Sequence, residues 1–199
     1  ASISNPYAIE RTINEKEFMH AKEKEQIAQA ALSIIGENDS IIIGSGTTVF
    51  ALARLLHPSK PLTVITPAVK ITLELCHRPN IQVLQLGGLI RPNSSSVAGT
   101  YAEEILEKIS CGIFFMGVDG IDPDFGLSIT NLAETSLDQK MIASAQAVVI
   151  LADSSKFGRR GLGKVCDFDQ VDYIITDSGV APGIVKQLHE RGLKVIVAQ

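Results

Sequence analysis

The chain has 199 residues, 45% of them hydrophobic, and a formal net charge of −4. That is enough chain for one domain with a substantial core, and an acidic balance with no run of Lys or Arg argues against holding nucleic acid by its phosphates without help. The longest apolar runs are too short to span a bilayer and the start is polar rather than signal-like, so a cytoplasmic location is expected.

Residues 1–22 are polar and carry no hydrophobic period before Phe18 and Met19, which reads as an arm or linker. A helix is expected over 23–35, burying Ile27, Ala31, Ile34 and Ile35 and stopping at Gly36. From there β-branched runs alternate with amphipathic segments. Strands are expected at 41–43, 62–65, 81–86, 113–118, 148–151, 173–175 and 194–197, and helices at 47–56, 69–76, 102–109, 132–145 and 182–191. Strand after helix over this length implies right-handed crossovers and a mostly parallel sheet with helices on both faces, a Rossmann-like α/β fold.

The stretch Ile41-Ile42-Ile43-Gly44-Ser45-Gly46-Thr47-Thr48 is a buried strand feeding a glycine turn and a helix start. Glycines permit a sharp turn and close approach to a ligand, while hydroxyls and free helix-start N–H groups suit a phosphate. Val49 stands where the dinucleotide fingerprint needs glycine, and no Gly-Lys-Ser/Thr follows, so neither nucleotide motif is present. In open α/β sheets ligands bind beyond the carboxyl ends of the strands, so the exits are read together. They supply Ser45 to Thr48, then Thr66, then Gly87 and Gly88, then Asp119 and Asp122, then Asp153 and Lys156, and last Asp177. Carboxylates that accept from sugar hydroxyls, beside a lysine and a glycine turn that neutralise phosphate, suit a small phosphorylated polyol. Taken singly, each aspartate could as well be a turn residue or helix cap.

Cys76, Cys111 and Cys166 are widely spaced and fall in or beside predicted elements, as reduced core thiols rather than disulfides or metal ligands would. His20, His57, His77 and His189 lie away from the strand exits, and no nucleophile elbow or zinc-protease motif occurs, so no metal and no cofactor is expected.

Gly44-Ser45-Gly46-Thr47-Thr48, Leu86-Gly87-Gly88 through Ser96-Val97-Ala98-Gly99, Gly117-Val118-Asp119-Gly120-Ile121 and Ala152-Asp153-Ser154-Ser155-Lys156-Phe157-Gly158 resemble, in order, the effector-sensing domain of DeoR-family bacterial repressors. The likeness runs from about residue 23 to the end. It implies a domain over 23–199 that binds a phosphorylated sugar or related metabolite, preceded by a linker over 1–22. It also implies DNA binding only through an N-terminal winged helix-turn-helix outside this chain, and assembly into a homo-dimer or homo-tetramer. Pro67-Ala68 after Thr66 departs from the Asn-Ser common in the family. The family fold is similar to ribose-5-phosphate isomerase, which raises aldose–ketose isomerisation as the alternative. Asp119-Gly120-Ile121-Asp122 and Asp153 to Lys156 resemble that enzyme's motifs, but its base position corresponds to Gln139, in Leu137-Asp138-Gln139-Lys140, and an amide cannot take a C–H proton. The resemblance therefore implies a sensor rather than an enzyme. Its ligand-binding set would be Ser45, Gly46, Thr47, Thr48, Thr66, Gly87, Gly88, Asp119, Asp122, Glu134, Lys140, Asp153 and Lys156.

Overall fold

Short apolar runs with no polar alternation must bury both of their sides, and the fold provides two cores for them. The computed structural model describes residues 11–199. The chain runs α1 (Ile13–Glu17), α2 (Ala21–Ile35), β1 (Ser40–Ile43), α3 (Thr47–Leu55), β2 (Leu62–Thr66), α4 (Val69–Leu75) and β3 (Ile81–Gln85). A hairpin of β4 (Leu89–Arg91) and β5 (Ser96–Ala98) leads to α5 (Thr100–Leu106), β6 (Cys111–Gly117), β7 (Gly120–Asp122), β8 (Gly126–Ile129) and α6 (Leu132–Ser144). Then follow β9 (Ala145–Leu151), β10 (Gly163–Cys166), β11 (Tyr173–Asp177), α7 (Pro182–Glu190) and β12 (Lys194–Ala198).

Seven of these strands form one sheet in the order β12-β11-β9-β6-β1-β2-β3, and every neighbouring pair is parallel. The two-residue period of a strand sends alternate side chains to opposite faces. Ile42, Phe114, Met116, Ile150 and Ile174 therefore enter one core, with Ala102 and Leu106 of α5, Leu137 and Met141 of α6 and Leu188 of α7. Ile41, Ile43, Ile113, Phe115, Val149, Leu151 and Ile175 enter the other, with Ile27 and Ala31 of α2, Val49 and Leu52 of α3 and Ile71 and Leu75 of α4. The expected mostly parallel α/β sheet, with helices on both faces, is what forms.

Two small antiparallel sheets, β10-β8-β7 and β4-β5, were not legible as strands. They are three or four residues long, too short to show a period, and β10 finds its partner β8 more than thirty residues away. A Cβ on Gly120 would lie 2.5 Å from the Arg159 carbonyl oxygen, so glycine in β7 lets the segment after Lys156 close over the sheet. The expected arm also gains structure. Thr12 and Glu15 form a reciprocal capping box that starts α1, and Ile13 is buried against the domain. The rest of that expectation, over residues 1–10, lies outside the described residues. Cys111 and Cys166 are buried, whereas Cys76 is exposed at the end of α4, contrary to its reading as a core thiol.

Phe115 is fully buried at the centre of its core. Phe115→Ala is expected to cost about 3–5 kcal/mol, read as a lower denaturant midpoint at an unchanged slope. A midpoint within error of the parent would contradict the packing described.

Candidate functional site

The chain leaves β1 toward β2 on one side, while β1 pairs β6 on the other, so the crevice between the exits of β1 and β6 is the switch point of the sheet. Gly44 donates its N–H to the Phe115 carbonyl at 3.0 Å, binding the start of the turn to β6. Gly46 then takes φ +127°, a conformation side-chain-bearing residues rarely adopt, and no side chain caps the first turn of α3 behind it. Thr47 and Thr48 are buried there. A Cβ on Gly117 would stand 3.3 Å from the Ser45 carbonyl oxygen, so the bare end of β6 lets the two exits lie together.

Asp119 follows that bare end. One carboxylate oxygen accepts from the Thr130 N–H at 3.0 Å and the Thr130 hydroxyl at 2.9 Å, and the other from the Lys16 ammonium at 2.8 Å. Burial pushes its carboxyl upward, but Lys16 and the Thr130 N–H outweigh burial and leave it below the usual range. Lys16 reaches Asp119 because α1 is strapped across the strand exits. Ile13 N–H donates to the Asn93 carbonyl at 2.8 Å, and Lys70 donates to Asn14 at 2.8 Å and Glu17 at 3.0 Å. Buried Lys24 donates to the carbonyls of Lys16 and Met19, satisfying the carboxyl end of the strap. Burial lowers its ammonium to about 8 against the pull of Asp153.

Beyond β9, Asp153 is almost fully buried and accepts from the Ser155 N–H and hydroxyl, fixing a short 3-10 turn over Ser154–Lys156. Asp177, at the end of β11, accepts the N–H groups of Ser154 at 2.6 Å and Gly179 at 2.8 Å. Burial raises the Asp177 carboxyl, but these N–H groups hold it below the usual range. Asp177 thus sets the turn that presents Lys156. The Lys156 ammonium itself makes no hydrogen bond or ion pair with a described residue, although its field reaches Asp119.

α6 contributes the opposite wall. Glu134 accepts from the Ser96 hydroxyl at 2.7 Å and pairs with Arg91 at 3.1 Å, tying the β4-β5 hairpin to the helix. One turn on, Asp138 is only 8% exposed and makes no hydrogen bond or ion pair with a described residue. Burial first, then the Glu134 and Asp119 carboxylates, pushes it well above the usual carboxylate range. Together these elements enclose a cavity of about 400 Å³, within the usual ligand-site size.

Of the residues expected in the site, Ser45, Gly46, Thr47, Thr48, Asp119, Glu134, Asp153 and Lys156 line this cavity. The other five stand apart from it. Thr66 is fully buried, its hydroxyl accepting the Ala68 N–H at 3.1 Å. Gly88, at φ +148°, lets β4 pass within van der Waals reach of the Ala98 carbonyl, and Gly87 precedes it, so both shape the hairpin. Asp122 caps the β7-β8 turn through the N–H groups of Asp124 and Phe125 and pairs with Arg160 at 2.9 Å. Lys140 is spent on Glu107 at the surface, 2.6 Å away. Gln139, read as holding the isomerase base position, donates instead to the Val165 carbonyl at 3.2 Å, and its neighbour Asp138 is the residue that faces the cavity. Lys16, Lys24, Asn93, Ser94, Thr130 and Asp138 line the cavity without having been singled out, and so does His20, contrary to its reading as lying away from the strand exits, because α1 and the start of α2 fold back over them. The capping-box spacing of Thr12 and Glu15 signalled the strap, and a carboxylate between Leu137 and Met141 on the apolar side of a helix signalled Asp138.

A family model described as the DeoR C-terminal sensor domain matches residues 19–178. The HTH-type transcriptional regulator YulB of Bacillus subtilis (strain 168) is 35% identical over 182 residues, covering 92% of this chain and 70% of that protein. The HTH-type transcriptional regulator GolR of Listeria innocua serovar 6a is 31% identical over 186 residues, covering 94% and 73%. Among solved structures, ribose 5 phosphate isomerase A from Neisseria gonorrhoeae superposes with a TM-score of 0.50 at 19% identity, covering 71% of this chain and 55% of that one. For eIF2B beta from Chaetomium thermophilum the TM-score is 0.55 at 15% identity, covering 77% and 48%. This chain thus spans about half of each solved neighbour, and the likeness is one of fold.

A raised Asp138 keeps its proton in the folded state at pH values where the unfolded chain has lost its own. Stability therefore falls as pH rises from the unfolded value through the folded one. Asp138→Asn removes that loss, so its thermal midpoint should exceed the parent's by more at about pH 8 than at about pH 4. A difference independent of pH would show that Asp138 is not held protonated.

Proposed function

The chain belongs to the DeoR C-terminal sensor-domain family, and from that premise we propose that it is the effector-binding part of a transcriptional repressor whose effector is a phosphorylated sugar or related metabolite. The observation that carries this reading is the meeting, in one cavity, of a Lys156 that pairs with no described residue and the uncapped first turn of α3 with a wall of carboxylates. Phosphate is favoured by an ammonium and free N–H groups together, and hydroxyls by carboxylate acceptors. Ser45, Gly46, Thr47, Thr48 and Lys156 would hold the phosphate, and Asp119 and Glu134 the hydroxyls. Asp153 would position Lys156.

The regulatory step would be a population shift. Lys16 occupies Asp119, so a ligand hydroxyl that takes the same oxygen competes with the strap and weakens the hold on α1. The relatives named as HTH-type regulators extend beyond the matched part by roughly three tenths of their length. A helix-turn-helix in that remainder, joined through residues 1–22, would receive the signal. On this reading DNA contact belongs to that module, and the sensor domain over 23–199 pairs copies into a dimer or tetramer.

The isomerase-like fold and the carboxylates of Glu134 and Asp138 at the cavity favour a second reading, aldose–ketose isomerisation. Charge state weighs against it. Glu134 is committed to Arg91 and Ser96, and burial beside Glu134 and Asp119 raises the Asp138 carboxyl, which disfavours the charged form a general base needs.

A sugar phosphate at roughly 100 times its Kd should add about 2.7 kcal/mol of stability, and the unphosphorylated sugar none. Lys156→Ala should remove most of that gain, and hydrogen exchange over residues 11–19 should speed up on binding. Ribose 5-phosphate should yield no ketose above background. Equal stabilisation by phosphorylated and plain sugars would sink the phosphate assignment, and turnover abolished by Asp138→Asn would restore the enzyme.

A further inference from the structure

Among the described residues, Asp138 is the one cavity carboxylate whose charge is not answered. Asp119 has Lys16 and the Thr130 hydroxyl and N–H, Glu134 has Arg91 and Ser96, and Asp153 has Ser155. Asp138, more than nine-tenths buried and lining the cavity, has no partner among the described residues. The charged groups that act on it are Glu134, from its own helix, and Asp119, from the end of β6, both carboxylates. A polar group this buried and without a partner is costly, so its retention facing a cavity calls for a function there.

The same cavity carries the opposite imbalance at Lys156 and Arg159, cations with no ion pair among the described residues. Unanswered groups of opposite sign in one enclosure are complementary to a ligand with an anionic and a cationic end. The carboxylate wall also already holds an ammonium in this structure, that of Lys16 on Asp119. A hydroxyl offers such a wall one donor, whereas an ammonium offers three donors and a positive charge.

We propose that Asp138 reads a protonated amino group on the effector, so that the ligand class is an amino-sugar phosphate rather than a neutral sugar phosphate. This rests on the phosphate reading above and narrows it. On binding, the Asp138 carboxylate pairs with the ligand ammonium, any proton it carries in the free protein passing to solvent. Glu134 and Asp119 add attraction, and the phosphate lies toward Lys156 and the α3 turn. Asp138 is thus a specificity-determining contact.

The test is calorimetric titration of the chain with glucosamine 6-phosphate and galactosamine 6-phosphate, each against the matching hexose 6-phosphate and N-acetyl form. The acetamide keeps the bulk of the substituent and removes the charge. The amino form should bind at least about tenfold tighter than the hydroxyl form, the scale of one charge-assisted hydrogen bond. Asp138→Asn should erase that ratio while still binding the hydroxyl form, and Asp138→Ser should do the same, with thermal midpoints confirming that both variants fold. Equal binding of amino and hydroxyl forms, or a preference that survives both substitutions, overturns the assignment to Asp138 and leaves the phosphate reading standing. Tighter binding of the N-acetyl form overturns it in favour of a neutral acceptor facing a protonated Asp138. Silence from every phosphorylated form, beside binding of a plain sugar or amino sugar, overturns the phosphate reading and this inference with it.

Discussion

Parallel pairing of β6 with β1 is the constraint on which the rest of the molecule depends. It joins the half of the sheet built before residue 110 to the half built after it, and it sets both strand exits on one rim with no connection passing between them. Ser45 to Thr48 and Asp119 reach the cavity from that opening, and α1, α2, α6, the β4-β5 hairpin and the exit of β9 supply its other polar groups. Bulk would close it: a side chain at Gly117 would press on the Ser45 carbonyl, and one at Gly44 would meet the Phe114 ring at 3.2 Å. The cores on the two faces make the arrangement rigid. Phe114 and Phe115, adjacent in β6, point into different cores, so a shift of one residue in register would turn both faces of the central strand inside out.

A rim built this way concentrates charge where solvent is scarce, and most of the local structure answers that charge. Asp153 and Asp177 spend their carboxylates on N–H groups of the turn that carries Lys156. Glu134 is neutralised by Arg91 from the β4-β5 hairpin, which also brings Asn93 and Ser94 to the cavity. Asp119 recruits Lys16 from outside the sheet altogether. The half-buried setting matters, since an exposed pair of this kind contributes only about 0–1 kcal/mol, whereas removing one partner of a desolvated pair strands the other. The strap is therefore fastened at the very atom a ligand would seek.

The central strands of the main sheet were legible because they are buried on both faces and rich in Ile, Val, Leu and Phe, and the edge strands β3 and β12 because Ile, Val and Leu recur in them although they are partly exposed. The five short strands were not, since runs such as Gly120–Asp122 carry no period of their own and form only when Ser128 and the segment after Lys156 arrive. The cavity lining was legible where chemistry sits directly at a strand exit, as at Ser45 to Thr48, Asp119, Asp153 and Lys156. It was not where a polar residue had a nearer task. Asp122 and Lys140 carry the right charges but meet Arg160 and Glu107 first, and Thr66 serves its own turn. That Gln139 turns to β10 while its neighbour Asp138 faces the cavity has a geometric cause: one residue on a helix is about 100° of rotation.

On the proposed reading, the strap makes coupling reciprocal. Whatever factor the effector gains by competing with Lys16 for Asp119, displacement of α1 by an attached module must return to effector affinity. Lys24 keeps that coupling from being diffuse. Its ammonium is buried beneath the strap, and its acceptors are the Lys16 and Met19 carbonyls. If α1 leaves, Lys24 loses both and is left beside Asp153, its nearest source of opposite charge. A buried ammonium without acceptors is far costlier than one with them, so intermediate positions of the strap are disfavoured and the switch has two states rather than a continuum. The distinction between those states then rests on three lysines of α1, α2 and the Ser154–Lys156 turn: Lys16 competing with ligand, Lys24 fastening the strap, and Lys156 waiting for an anion.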